Sequence, residues 1–246
     1  MKKQLFKNPL VVGYKGEIGS FILHGLLKAV PKALNILCFD ANETEKEKVA
    51  RIKKSDVIFL CVPMQETVPW IMKYRHLLRE KIVIEQTSLK SVVYDHIGKI
   101  FSHKANFELL SMHVLFRPSG TPDKNDRRVA LINGAKWSKQ ELVAIVEAIT
   151  QSNIVWFLDH NQHDRVMAYQ QALLHRVMLV LNSTIDQFPY TYMSSQVNKL
   201  CLRIKAGDVE LYKLMQKNKF LPGALKQFNK NLKHFRIQTE FKNRGT

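Results

Sequence analysis

Through residue 157, short runs of β-branched and aliphatic residues alternate with amphipathic stretches, and no other feature constrains the fold as much. The runs are Leu10 to Gly13, Asn35 to Asp40, Asp56 to Val62, Lys81 to Glu85, Glu108 to His113, Arg128 to Ile132 and Ile154 to Phe157. Strands separated by helical patterns predict βαβ units and a mainly parallel sheet, because a parallel pair needs a crossover long enough to hold a helix. In the first crossover Ile18, Phe21, Ile22, Leu26, Ala29 and Val30 recur every three or four residues, giving one apolar stripe to lay on a sheet. Pro31 is expected to end that helix. Beyond Asp159 the strand signals stop, and the remainder reads as helices broken near Phe188–Pro189 and Leu221 to Gly223. The fold expected is α/β over residues 1–158, followed by an all-helical domain over residues 159–246.

Composition narrows the function classes. The chain of 246 residues is 46% hydrophobic and carries 38 Lys and Arg against 21 Asp and Glu, a net charge of +17, which excludes disordered, collagenous and disulfide-scaffold classes. Cys38, Cys61 and Cys201 are an odd set without a CxxC pair, so they read as reduced core residues of a cytoplasmic protein, with no metal site expected. The apolar stretch after Met1 to Lys7 is too short for a signal peptide, and no run approaches the ~18 apolar residues of a membrane span. Residues 199–246 hold twelve Lys and Arg against three Asp and Glu, about +9. Leu211, Leu214, Met215, Leu221, Leu225, Phe228, Leu232 and Phe235 interleave those cations at helical spacing, which favours solvated helix faces over a nucleic-acid surface.

The first strand runs into Gly13-Tyr-Lys-Gly16-Glu-Ile-Gly19 and then an amphipathic helix, the context in which a glycine-rich turn holds a dinucleotide. Backbone N–H groups of Glu17, Ile18 and Gly19 at the helix start would meet a pyrophosphate, Gly16 would allow its close approach, and Gly19 would let helix and sheet pack closely. Asp40 closes the second strand 21 residues after Gly19, where an acid accepts from a ribose 2'-hydroxyl and repels a 2'-phosphate, so NAD is expected rather than NADP. The first domain is therefore read as a Rossmann-type nucleotide-binding domain. Val62 and Pro63 should border the same crevice at the end of the third strand.

Two further segments end at that edge. Glu85-Gln-Thr-Ser-Leu-Lys90 supplies Ser88, with Thr87 or Ser88 also a candidate helix cap. Ser111-Met-His-Val-Leu-Phe-Arg-Pro118 supplies His113, a side chain that exchanges protons near neutral pH. Asn161 to His175 has no breaker, and Asp164, Ala168, Gln171 and His175, spaced four, three and four apart, share one face of an α-helix.

Taken in order, Gly16-Glu-Ile-Gly19, Thr87-Ser-Leu-Lys90, His113-Val-Leu-Phe-Arg-Pro118, His163-Asp-Arg-Val-Met-Ala-Tyr-Gln-Gln-Ala-Leu-Leu-His175 and Arg203-Ile-Lys-Ala-Gly-Asp-Val-Glu-Leu-Tyr212 make the chain resemble the prephenate dehydrogenase family of tyrosine biosynthesis. The resemblance implies NAD-dependent oxidative decarboxylation of prephenate to 4-hydroxyphenylpyruvate and a homodimer formed through the C-terminal helices. It further implies that His113 takes a hydrogen bond or proton from the C4 hydroxyl as hydride leaves, and that Ser88 orients His113. Arg203 would hold a substrate carboxylate, with Gln171 and His175 lining the pocket. The sequence departs from the family pattern at Tyr14, where the fingerprint has its first glycine, and at Val114 and Arg117, where the family has Pro and Gly. An arogenate dehydrogenase and a degenerate Rossmann protein that binds a nucleotide or partner without chemistry remain open alternatives.

Overall fold

The computed structural model describes residues 7–29, 35–101, 106–120, 122–132, 139–185, 191–205 and 209–242. The expected end of the first helix at Pro31 lies outside them. Two units divide between His163 and Asp164.

The first unit is built on strands β1 (Pro9–Val12), β2 (Leu37–Phe39), β3 (Val57–Leu60), β4 (Ile82–Glu85), β5 (Glu108–Val114), β6 (Arg128–Ile132) and β7 (Asn153–Phe157). They form one sheet in the order β2-β1-β3-β4-β5-β6-β7. Pairs are parallel except β5 with β6, where His113 opposes Ala130. The expected α/β class and its mainly parallel sheet are what forms.

The helices of this unit are α1 (Glu17–Ala29), α2 (Glu45–Lys54), α3 (Met64–Tyr74), the single turns α4 (Ser91–Tyr94) and α5 (Ile97–Ile100), and α6 (Lys139–Thr150). Successive strand residues point to opposite faces, so the sheet feeds two cores. Val11, Val57, Phe59, Ile84 and Leu110 pack with Ile22 and Leu26 of α1 and with Val146 and Ile149 of α6. Leu10, Val12, Ile58, Leu60 and Val83 pack with Ile52 of α2 and Ile71 and Tyr74 of α3 on the other face. Apolar runs without polar alternation are the sequence mark of a sheet covered on both sides. Each such side chain contributes about 1.5–3 kcal/mol on burial. Helix α2 starts on a capping box in which the Glu47 N–H donates to Thr44 Oγ1 and the Thr44 N–H donates to Glu47 Oε2.

β1 pairs with β2 on one side and β3 on the other, so the crossover direction reverses there. Ligands of open α/β sheets bind outside the carboxyl ends of strands at such a reversal.

The helices α7 (His160–Met167), α8 (Leu174–Ile185), α9 (Tyr192–Lys205), α10 (Val209–Met215) and α11 (Leu221–Lys242) follow, and the division between the units falls inside α7. Between α7 and α8, Ala168–Leu173 winds as a π-helix. Cys201 of α9 is fully buried with its Sγ 3.1 Å from Met178 O of α8, and Met215, Leu221 and Ala224 are buried within the second unit.

Candidate active site

The glycine turn follows β1 and is held from both sides. Gly13 adopts φ +77°, and its N–H donates to Phe39 O at 2.9 Å. A Cβ on Gly13 would lie 2.3 Å from Cys61 O, and one on Gly19 would lie 2.1 Å from Gly13 O. Gly16 faces only Gly13 O, at 3.4 Å, and is exposed. The first backbone bond of α1 runs from Ser20 N–H to Gly16 O at 2.8 Å, so the N–H groups of Glu17, Ile18 and Gly19 are the unsatisfied donors of the helix start. Free donors on an open side and a side-chain-free turn on the packed side fit a pyrophosphate. Tyr14 is accommodated in the turn, with Lys15 Nζ 5.7 Å from its ring centre.

Asp40 follows β2 directly. Its Oδ2 accepts from the Lys15 N–H at 3.0 Å and its Oδ1 from the Ala41 N–H at 2.8 Å, so it ties the glycine turn to the end of β2. Val62 is half-buried after β3, and the exposed Pro63 precedes α3, its carbonyl accepting from the Glu66 N–H.

A buried polar network lies beside this crevice. Glu85, the last residue of β4, is fully buried and takes four donors: Lys90 Nζ at 2.9 Å, the Ser111 hydroxyl, and the N–H and hydroxyl of Thr87, each at 2.6 Å. Lys90 also donates to Met112 O at 2.8 Å, next to His113. Thr87 thus serves Glu85, and because α4 begins at Ser91 with Lys90 before it, neither Thr87 nor Ser88 caps a helix. Ser88 is half-buried and has no hydrogen bond to His113.

His113 sits near the carboxyl end of β5 with 4% exposure, its Nδ1 3.1 Å from Nε2 of fully buried His163. The two rings meet edge to face at 5.3 Å, and Phe157 packs edge-on against His163 at 5.2 Å. Burial, then the neighbouring His163 and the Lys90 charge, hold His113 well below the ordinary imidazole range. It is therefore a neutral imidazole, competent to accept a proton. His160 stacks on Tyr94 at 4.6 Å.

In the second unit Gln171 lies on the π-helical stretch, and its Oε1 is buried with no hydrogen-bond partner among the described residues. His175, in the first turn of α8, is partly buried and faces the Tyr212 ring at 6.4 Å, and burial lowers its pKa. Gln216 Nε2 donates to Ala172 O at 3.0 Å and Asn218 Nδ2 to Asp164 O at 2.7 Å, satisfying carbonyls along the π-helical segment and the turn before it. The π-turn changes the register between Asp164 and His175, so the single α-helical face expected of that stripe is not the geometry formed. Arg203 belongs to α9, and its side chain lies outside the described residues.

The residue spacing did not disclose His163 as the partner of His113, since nothing local relates positions fifty residues apart. An acid and a lysine flanking two hydroxyls from Glu85 to Lys90 was the signal available for the buried network.

Residues 29–146 match the model of the prephenate dehydrogenase nucleotide-binding domain. No curated protein sequence matches the chain. Among solved structures, prephenate dehydrogenase from A. aeolicus in complex with hydroxyphenyl propionate and NAD+ is similar, with TM-score 0.73 and 18% identity over 99% of this chain and 94% of that one. Synechocystis arogenate dehydrogenase follows at 0.67 and 16%, over 96% and 93%. A pyrroline-5-carboxylate reductase from Coxiella burnetii reaches only 0.52 at 15%, over 96% and 93%. The matched stretch is thus that of a prephenate dehydrogenase nucleotide-binding domain, and the fold is that of the solved prephenate and arogenate dehydrogenases.

Proposed function

We propose that the protein catalyses NAD-dependent oxidative decarboxylation of prephenate to 4-hydroxyphenylpyruvate. The observation that carries this reading is His113, a buried neutral imidazole at the strand edge with one nitrogen fixed by His163. With Nδ1–H donating to His163, Nε2 holds the lone pair and accepts the C4 hydroxyl proton of the substrate. Bound NAD would supply the acceptor for the hydride that leaves C4. His113 keeps the proton while the ring carboxylate departs as CO2, then returns it to the oxygen of the newly aromatic ring, so no proton is gained or lost overall.

Ser88 is assigned to the nicotinamide side, Arg203 to a substrate carboxylate by a charge-assisted pair, and Gln171 and His175 to the substrate pocket. The cofactor would be held by Gly13 and Gly16 of the turn and by the backbone N–H groups of Glu17, Ile18 and Gly19, with Asp40 toward the ribose and Val62 and Pro63 along the crevice. Exposed apolar side chains on the C-terminal helices, among them Leu181, Leu200, Leu202, Leu232 and Phe235, support a homodimer formed there. Among the described residues no helix is long and apolar enough to cross a membrane. The three cysteines are free, which supports the reading of a cytoplasmic enzyme.

The likeness to an arogenate dehydrogenase supports the second reading, in which the substrate side chain carries an amino group. Absorbance at 340 nm after adding NAD with prephenate, and separately with arogenate, distinguishes them. Growth with neither would sink the dehydrogenase reading.

A further inference from the structure

Arg117, one of the departures from the family pattern, meets Glu17 of the glycine turn in space. Glu17 is the first residue of α1, and Arg117 follows β5 one hundred positions later. Arg117 Nε lies 3.2 Å from Glu17 Oε2, and the Ser119 N–H donates to Glu17 Oε1 at 2.8 Å. Both carboxylate oxygens are therefore engaged by the segment that leaves the His113 strand. Phe116 anchors the same segment independently, edge-on to Phe21 of α1 at 5.4 Å.

A carboxylate in the first turn suits the positive end of a helix dipole. It is a poor neighbour for an anion bound to that same helix end, where the free N–H groups of Glu17, Ile18 and Gly19 await a pyrophosphate. Burial pushes the Glu17 carboxyl up, but the Ser119 and Arg117 hydrogen bonds outweigh it and hold it below the ordinary value, so Glu17 is ionised at neutral pH. Its charge must be cancelled for the dinucleotide site to work.

We propose that Arg117 is a positioning residue for dinucleotide binding, which acts by drawing the Glu17 carboxylate onto the Arg117–Gly120 segment and neutralising it. This rests on the nucleotide-binding reading given above. The Arg117 guanidinium makes the site electrostatically equivalent to one with an uncharged residue at position 17. Only the net charge near the helix start depends on it, since Phe116 holds the segment without it.

The test is equilibrium binding of NAD and of ADP-ribose, by calorimetry at low salt, to the full chain and to Arg117→Ala, Glu17→Gln and the double variant. Arg117→Ala should weaken both ligands by roughly five- to thirtyfold. Glu17→Gln keeps the backbone N–H that meets the pyrophosphate and removes only the side-chain charge, so adding it to Arg117→Ala should restore binding. Melting temperatures should stay within a few degrees, because both side chains are largely solvent-exposed. Unchanged binding in Arg117→Ala would overturn the proposal. An equal loss in the single and double variants would also overturn it, since Arg117 would then be touching the ligand itself. An unaltered chain that bound neither ligand would instead remove the nucleotide reading beneath it.

Discussion

Nε2 of His163 lies 3.1 Å from Nδ1 of His113, joining α7 to β5, the interior strand that carries the candidate base. Nδ1 of His113 is thereby engaged, and with Nδ1–H as the donor Nε2 is left to take a proton. His163→Asn removes the ring that orients His113 and leaves the glycine turn untouched. It should lower kcat by roughly tenfold to a hundredfold with NAD affinity unchanged, whereas His113→Asn should lower kcat by about a hundredfold or more. Stopped-flow turnover beside NAD calorimetry checks both. A His163→Asn variant with normal turnover would return the pair to a packing role.

The same burial makes stability depend on pH. His113 resists protonation in the folded chain but takes up a proton near pH 6.5 when unfolded. Between its folded value and about 6.5 the unfolded state therefore binds more protons, and stability rises with pH across that window. The melting temperature should fall as the pH drops from about 7.5 to about 5.5, and less steeply in His113→Gln. His175, also lowered by burial, adds a slope of the same sign. Glu17, whose pKa is likewise lowered, gives a slope of the same sign in a more acid window: its stabilisation is full above the ordinary carboxylate value and is lost as the pH falls through its folded value. Identical slopes in the two proteins would show that His113 carries a proton when folded.

The strands were legible because each is an apolar run bounded by polar residues. Their pairing followed from the intervening helical stripes, and Gly13, Gly16, Gly19 and Asp40 stood at intervals that only a strand-turn-helix unit explains. Long-range side-chain partners were not legible. Nothing at Glu17 announces Arg117, and nothing at His113 announces His163, because tertiary contacts between distant residues leave no period in the sequence. The π-turn at Ala168–Leu173 was hidden for another reason: its residues are compatible with α-helix, and the extra width is held by Gln216 and Asn218 from far along the chain.

The Lys90–Glu85 pair is fully buried, so breaking it strands a charge. Lys90→Met should cost about 3–5 kcal/mol in urea unfolding. Adding Glu85→Gln should recover a substantial part of that loss, since its amide oxygen still accepts from both Thr87 donors, its NH2 can donate to the Ser111 hydroxyl oxygen, and no buried charge remains. A double variant no more stable than Lys90→Met would mean that the lysine acts through its bond to Met112 O and its packing, with little contribution from the charge pair.

In the proposed function Asp40 holds a ribose besides the glycine turn it ties, and one substitution separates the two tasks. Its carboxylate already accepts from the Lys15 and Ala41 N–H groups, and a carboxylate has lone pairs enough for a ribose hydroxyl as well. A 2'-phosphate in the same place would meet like charge. The unaltered chain should therefore bind NAD at least about tenfold tighter than NADP, the discrimination of roughly 1.4 kcal/mol that a single close charge supplies. Asp40→Asn keeps one acceptor for the Lys15 N–H but loses the charge, so NAD should weaken several-fold while NADP improves, narrowing the ratio to within about threefold. Calorimetry of both dinucleotides against both proteins reads this directly. If the ratio is the same in the two proteins, Asp40 serves the glycine turn alone, and the choice between the cofactors is made by residues elsewhere along the crevice.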